Sequence, residues 1–337
     1  MTNPTLSLDW AMLGILLLAQ NFNHCMLPYF LLFLGLVILL YGGKILVDGA
    51  SAMAVKLGMS AGLIGMTVVA FGTSAPELLV SVNAALKGNS DISIGNVVGS
   101  NIANIALVLG ISGIFYPILI RKSHIRFDYL VTLLVSILFY GLSYNGLIGF
   151  WEGILLFGLF IAFNVYLFKS PGADLVNNTE VEEEIEQVKG YSWAASIGLF
   201  LGGVVGLYLG SELLVTNAVK ISREFGVSER IIGVTIIAIG TSLPELITSI
   251  IAALSKRTDL ALGNILGSNI MNILSIIGIT AIIKPIGVSQ EFIDSDFLWM
   301  IGITLFLFVL MRTKMRVSKV EGSLLLLSYF AYLYFLL

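Results

Sequence analysis

Displaced by 168 positions, this sequence aligns with itself without a gap from Gly42/Gly210 to Pro117/Pro285. Two blocks carry most of the identity. GMTVVAFGTSAPELLVSV at 65–82 matches GVTIIAIGTSLPELITSI at 233–250 at ten of eighteen positions. GNVVGSNIANIALVLGIS at 95–112 matches GNILGSNIMNILSIIGIT at 263–280, again at ten of eighteen. The shared residues include Pro, Glu and Asn, which contact with lipid would not select. The chain therefore reads as a tandem duplication.

Composition identifies the solvent. Of 337 residues, 57% are hydrophobic and 12% charged, where a soluble domain carries about 25% charged residues. Ten apolar segments follow one another, at about 28–50, 60–86, 92–117, 127–145, 148–168, 193–217, 229–254, 259–284, 295–312 and 320–337. In hydrocarbon an open strand edge leaves backbone polar groups unpaired, so each segment is read as a helix. The expected fold is an all-α membrane protein of ten transmembrane helices. Five crossings per copy is an odd number, so the second copy enters the membrane from the opposite face. That makes two inverted five-helix repeats, a plan that puts a transporter's site at mid-membrane where the halves meet. The expected divisions are an N-terminal extension at 1–26, a first repeat at 27–168, an acidic loop at 169–192 and a second repeat at 193–337.

The ends and connectors add less. WAMLGILLLA is short for a crossing, and no Lys or Arg precedes Lys44, so a signal peptide's positive start is missing. Residues 1–26 are expected to form an interfacial helix, or to lie upstream of a native start at Met26, rather than to add an eleventh span. The loop KSPGADLVNNTEVEEEIEQVKGYS reads as a solvated linker. Setting aside Lys44, which lies within a span, one side of the membrane receives twelve basic residues: Lys56, Arg121, Lys122, Arg126, Lys169, Lys189, Lys256, Arg257, Arg312, Lys314, Arg316 and Lys319. The other receives five: Lys87, Lys220, Arg223, Arg230 and Lys284. This bias puts the 169–192 loop in the cytoplasm and both termini outside. One cysteine, Cys25, excludes an internal disulfide framework and a cysteine metal cluster. His24 and His124 fall at the edges of apolar spans and are expected to be solvated rather than to act as ligands.

In each copy a glutamate directly follows a proline in the middle of an apolar span, Glu77 after Pro76 and Glu245 after Pro244. A carboxylate at membrane depth costs about 2.5–3.5 kcal/mol on insertion scales, and no mid-membrane Lys or Arg is evident to offset either. Thr73 and Ser74 precede Glu77 by four and three residues, so on a helix all three share a face. Pro76 lacks an N–H and displaces the carbonyl one turn earlier, which frees oxygens near Gly72 and Thr73. Such a cluster of hydroxyl, carbonyl and carboxylate oxygens suits a hard cation such as Ca²⁺. Asn96, Ser100 and Asn104 recur at four-residue steps, with Asn264, Ser268 and Asn272 in the other copy. They can line the same site or hydrogen-bond between helices. Gly95, Gly99, Gly263 and Gly267 form small-xxx-small pairs and are read as packing residues. Lys44 and Glu212 occupy equivalent places and are expected to snorkel towards the interface.

At GTSAPE and GTSLPE, each followed by GN-x-x-GSN, the chain closely resembles the sodium/calcium exchangers of the cation/Ca²⁺ antiporter superfamily. The resemblance covers residues 28–337. It implies that Glu77 and Glu245 coordinate Ca²⁺ and, alternately, Na⁺, with the carbonyls of Thr73 and Thr241 completing a central site. It implies one flanking Na⁺ site at Ala70, Ser74 and Ser100, another at Ala238, Ser242 and Ser268, and Asn104 and Asn272 at the border of the centre. Several relatives carry Asp at one of the last two positions. With Asn at both, the site holds at most two formal negative charges, which balance one Ca²⁺ and fall one short of three Na⁺. The resemblance also implies that the first and sixth helices slide past helices 2, 3, 7 and 8.

The expected function is thus a secondary antiporter that exchanges Na⁺ for Ca²⁺ by alternating access. Its partners are the two ions and the bilayer; no cofactor, nucleic acid or obligatory protein partner is indicated. A Ca²⁺/H⁺ antiporter is the nearest alternative, although proton-coupled relatives usually carry a different sequence around the acidic residue. A cation channel built from the same residues is a second. An intramembrane enzyme is a poor third, because H-E-x-x-H and G-x-S-x-G are both missing.

Overall fold

The structure, a computed structural model, describes residues 5–122, 124–169, 190–226 and 238–336, with side chains from Met26 onward. Most of the expected 169–192 loop and the first part of the expected 229–254 span lie outside the described residues.

The described chain is helical, apart from four two-residue strands. In order come α1 (Thr5–Leu57), α2 (Ala61–Thr73), α3 (Ala75–Leu86), α4 (Ser90–Phe115), α5 (His124–Ser143) and α6 (Phe150–Lys169). Then follow α7 (Trp193–Glu224), α8 (Ala238–Thr241), α9 (Leu243–Leu254), α10 (Thr258–Ile283), α11 (Phe292–Lys314) and α12 (Lys319–Leu336). By length and composition, seven of the described helices are able to cross a membrane, or eight if the bent pair α2–α3 is one span. The protein is thus a multi-pass, all-helical membrane protein. The backbone from Thr5 runs without a break into the first of these spans, Met26–Leu57.

The prolines set the breaks. Pro76 and Pro244 sit in the first turns of α3 and α9, where a missing N–H is tolerated because that donor has no intrahelical partner. Ser74 (φ −88°, ψ 7°) and Ser242 (φ −87°, ψ 6°) form the two junctions with nearly identical backbone angles. At Ser74 the axis turns by 46° between α2 and α3. The carbonyl one turn before Pro244, that of Gly240, accepts a hydrogen bond from Ser211 Oγ of α7 at 2.8 Å. One of the oxygens released by proline is therefore taken up by a neighbouring helix.

Partners are exchanged reciprocally between the halves. Strand β1 (Ile118–Leu119) pairs antiparallel with β4 (Arg316–Val317), and β2 (Leu147–Ile148) with β3 (Ile286–Gly287). Helix α12 packs on the end of α4, where a Cβ at Gly322 would lie 2.5 Å from Gly110 O. Helix α6 packs likewise on the end of α10, where a Cβ at Gly153 would lie 2.9 Å from Gly278 O. The polar helices α4 and α10 are the most enclosed, and each contains a π-helical stretch, Asn104–Leu109 and Asn272–Ile277. Such stretches are frequent at functional sites.

Helices α1 and α7 lie antiparallel in backbone contact along a seam of glycines. A Cβ at Gly35, Gly42 or Gly49 would fall 2.8, 2.8 or 2.5 Å from backbone atoms of α7, at Leu214, Leu207 and Phe200 in turn. From the other side, a Cβ at Gly210 would fall 2.6 Å from Leu39 N. Lys44 and Glu212 are exposed on these two helices. His124 departs from expectation. It is buried, accepts the Arg121 N–H at Nδ1 (3.2 Å), and lies 3.9 Å from Asp259, which Arg121 pairs at 2.6 Å. Asp259, on α10, is remote in sequence, so the burial of His124 depends on tertiary packing.

Candidate ion-binding site

Buried polar side chains gather at the junctions before α3 and α9 and along α4 and α10. Glu77 and Glu245 stand in the first turns of α3 and α9, both 0% exposed. The positive end of a helix dipole favours a carboxylate there. The junction before Glu77 reaches the other carboxylate, since Ser74 Oγ donates to Glu245. Among the described residues, no side chain donates a hydrogen bond to either oxygen of Glu77.

The junction residues cross between halves. Ser74 Oγ donates to Glu245 Oε1 at 2.9 Å, and Thr73 Oγ1 donates to Asn264 Oδ1 at 3.2 Å. Ser268 is buried on α10 with an unpartnered Oγ, and Oε2 of Glu245 likewise lacks a hydrogen-bond partner among the described residues. Ser242, buried at the second junction, has an unpartnered Oγ. Thr241 is partly exposed at the end of α8. Ala70 is buried in α2, and Ser100 is buried on α4 with no hydrogen bond to either carboxylate among the described residues. Ala238 opens α8, its side chain outside the described residues.

The asparagines divide into two groups. Asn96 Nδ2 donates to Glu77 O (3.1 Å) and to Ser81 Oγ (2.9 Å), holding α4 against α3. Its counterpart Asn264 Nδ2 donates to Ser249 Oγ at 3.1 Å, holding α10 against α9. For these two the helix-bridging role is the one observed. Asn104 and Asn272 are different: each donates through Nδ2 while its Oδ1 remains buried without a partner. Their acceptors are Asn269 and Asn101, which were not among the expected site residues. The signal was present, since the identical GSN triplet of both copies ends on them and they lie three residues before Asn272 and Asn104.

Seven oxygens of the expected site residues therefore lack a hydrogen-bond partner among the described residues: both of Glu77, Oε2 of Glu245, Oγ of Ser242 and of Ser268, and Oδ1 of Asn104 and Asn272. Leaving a buried polar atom unpaired costs about 1–3 kcal/mol, more when it is charged. All seven can accept, and oxygens are the hard ligands that bind Ca²⁺ or Na⁺.

The family model described as sodium/calcium exchanger protein matches residues 27–169 and 195–337. The chain belongs to the sodium/calcium exchanger protein family. Among relatives, it is 40% identical over 309 residues to the putative antiporter CaxA of Alkalimonas amylolytica, covering 90% of this chain and 96% of the relative. It is 31% identical over 340 residues to the sodium/calcium exchanger MaX1 of Methanosarcina acetivorans, covering 90% and 97%. Among solved structures, the sodium-calcium exchanger NCX_Mj, soaked without Na⁺ or Ca²⁺, superposes with a TM-score of 0.79. That match has 32% identity and covers 93% of this chain and 99% of the other. Both matched segments of the family model contain a glutamate, a junction serine and a GSN triplet.

Proposed function

We propose that this protein is a secondary antiporter that exchanges Na⁺ for Ca²⁺ across a cell membrane by alternating access. The observation that carries the reading is the pair of wholly buried glutamates surrounded by unpartnered oxygens, none of them bonded to a cationic side chain among the described residues. Family membership and the names of the relatives agree with it.

In this reading ten helices form two inverted five-helix repeats, divided at 27–168 and 193–337, with 1–26 as an extension and 169–192 as a cytoplasmic loop. Both termini lie outside. The reciprocal strand pairs and exchanged helix contacts support that symmetry. Glu77 and Glu245 bind Ca²⁺ centrally with the Thr73 and Thr241 carbonyls, and Asn104 and Asn272 present amide oxygens beside them. Ala70, Ser74 and Ser100 serve one Na⁺ position; Ala238, Ser242 and Ser268 serve the other. Na⁺ and Ca²⁺ compete for overlapping oxygens, so occupancy by one excludes the other and exchange is obligatory. Helices α1 and α7, locked to each other along their glycine seam, move together past the core. The Na⁺ gradient then drives Ca²⁺ out of the cell.

The test is radiolabelled Ca²⁺ uptake into proteoliposomes with Na⁺, K⁺ and H⁺ gradients imposed separately. Uptake is expected to require an opposing Na⁺ gradient and to vanish in Glu77→Gln and in Glu245→Gln. Uptake that follows a pH gradient and ignores Na⁺ would overturn the assignment in favour of Ca²⁺/H⁺ exchange. Large unitary currents would overturn it in favour of a channel.

A further inference from the structure

We infer that Asn101 and Asn269 are positioning residues that hold the amide oxygens of Asn104 and Asn272 towards the transported ion, each acting on the asparagine of the opposite half. This rests on the site reading above. Four buried amides form a crossed network between α4 and α10. Asn104 Nδ2 donates to Asn269 Oδ1 at 3.0 Å, and Asn272 Nδ2 donates to Asn101 Oδ1 at 3.1 Å. The two clamps are tied to each other's backbone: Asn269 Nδ2 donates to Asn101 O at 3.1 Å, and Asn101 Nδ2 to Asn269 O at 3.4 Å. Asn101 Nδ2 also lies 3.8 Å from Met300 Sδ on α11. All four asparagines are at most 1% exposed.

The chemistry follows from the asymmetry of an amide. Its oxygen accepts and can ligate a cation, while its NH₂ group only donates. A half-turn of the Asn104 amide would exchange the two ends. It would set Oδ1 against Oδ1 of Asn269, two acceptors facing each other, and aim NH₂ hydrogens at the ion. The clamp forbids that half-turn, because the Asn269 oxygen is fixed in turn: its own Nδ2 is bound to the Asn101 carbonyl. The unpartnered Oδ1 atoms of Asn104 and Asn272 are then the ends left for the site. Each half thus orients a ligand in the other half, and a carboxylate at position 104 or 272, with two acceptor oxygens, would need no such clamp.

The experiment measures apparent KM for Ca²⁺ and maximal rate in Na⁺-loaded proteoliposomes. Asn269→Leu and Asn101→Leu keep the branching of the side chain and remove the acceptor together with the amide donor; each is expected to raise KM about 10-fold or more, as losses of partners that orient metal ligands do. The coupling should be crossed. Adding Asn269→Leu to Asn104→Ala leaves KM where Asn104→Ala put it, whereas adding Asn101→Leu to Asn104→Ala multiplies the two effects. In an Asn104→Asp background, Asn269→Leu raises KM no further. Folding is checked by monodisperse elution, and should Asn269→Leu not fold, the smaller change Asn269→Ser is read in the same way. Unchanged KM in both leucine variants, alongside raised KM in Asn104→Ala and Asn272→Ala, would overturn the clamp and leave the site standing. Multiplied effects in Asn104→Ala/Asn269→Leu would do the same. Unchanged KM in Asn104→Ala and Asn272→Ala would overturn the site assignment itself.

Discussion

A methyl group at Gly267 probes how closely the site's helices must approach. A Cβ there would lie 2.4 Å from Met66 O, 2.6 Å from Met66 Cα and 2.8 Å from Met66 C, all backbone atoms of α2 that no rotamer change can move. Ordinary contact begins at 3.4 Å, so Gly267→Ala must push α10 away from α2 by about 1 Å, with an overpacking cost of about 1–3 kcal/mol. The same displacement stretches the 3.2 Å bond from Thr73 Oγ1 to Asn264 Oδ1 beyond hydrogen-bonding range, a further loss of about 1 kcal/mol. Alanine's better helix propensity returns up to about 1 kcal/mol. The net destabilisation is about 1–3 kcal/mol. Gly302→Ala on α11 is the control: nothing lies within 4 Å of its Cβ, so only the favourable propensity remains. Thermal unfolding in detergent should show a lower midpoint for Gly267→Ala and an equal or higher one for Gly302→Ala. Transport by Gly267→Ala should show a raised KM for Ca²⁺. A Gly267→Ala protein as stable as the parent, with unchanged KM, would refute the argument from backbone contact.

Two further outcomes are expected. Without ions, Ser74→Ala should lower the unfolding midpoint more than Ser242→Ala. Ser74 Oγ donates to Glu245, a bond to a charged group worth about 1.5–3 kcal/mol, while Ser242 Oγ has no partner to lose. Asp48→Asn should destabilise the protein by about 2 kcal/mol, between the values for exposed and buried pairs. The Arg257 side chain is 3% exposed, 2.8 Å from an Asp48 side chain that is 28% exposed. Equal midpoints for Asp48→Asn and the parent at low and high salt would show that the pair contributes nothing.

The duplication, the helical class and the two glutamates were legible in the sequence for a common reason: each is a signal that needs no knowledge of neighbours. A repeat offset is arithmetic, an apolar run in lipid has few options, and a carboxylate inside such a run stands out against its surroundings. The breaks at Ser74 and Ser242 were not legible: each span was read as one helix with Thr73, Ser74 and Glu77 on a shared face, whereas Ser74 ends a helix and reaches Glu245. His124 was misread, since its burial depends on Asp259 and α10, which nothing near position 124 announces. Asn96 and Asn264 could equally have faced an ion or a helix, and four-residue spacing alone does not choose between them.

Sequence alone determined what the chain places in lipid: one acidic, hydroxyl-rich segment per copy, each carrying a proline and followed by an asparagine-rich helix. Tertiary structure decided which oxygens are left open. Ser74 reaches Glu245, Thr73 reaches Asn264, and Asn104 and Asn272 lean on Asn269 and Asn101, all across the boundary between copies. Hydrogen bonds last over about 3 Å, so their partners are set by how the helices of one copy lie against those of the other, and that is a property of the packed halves rather than of either sequence block.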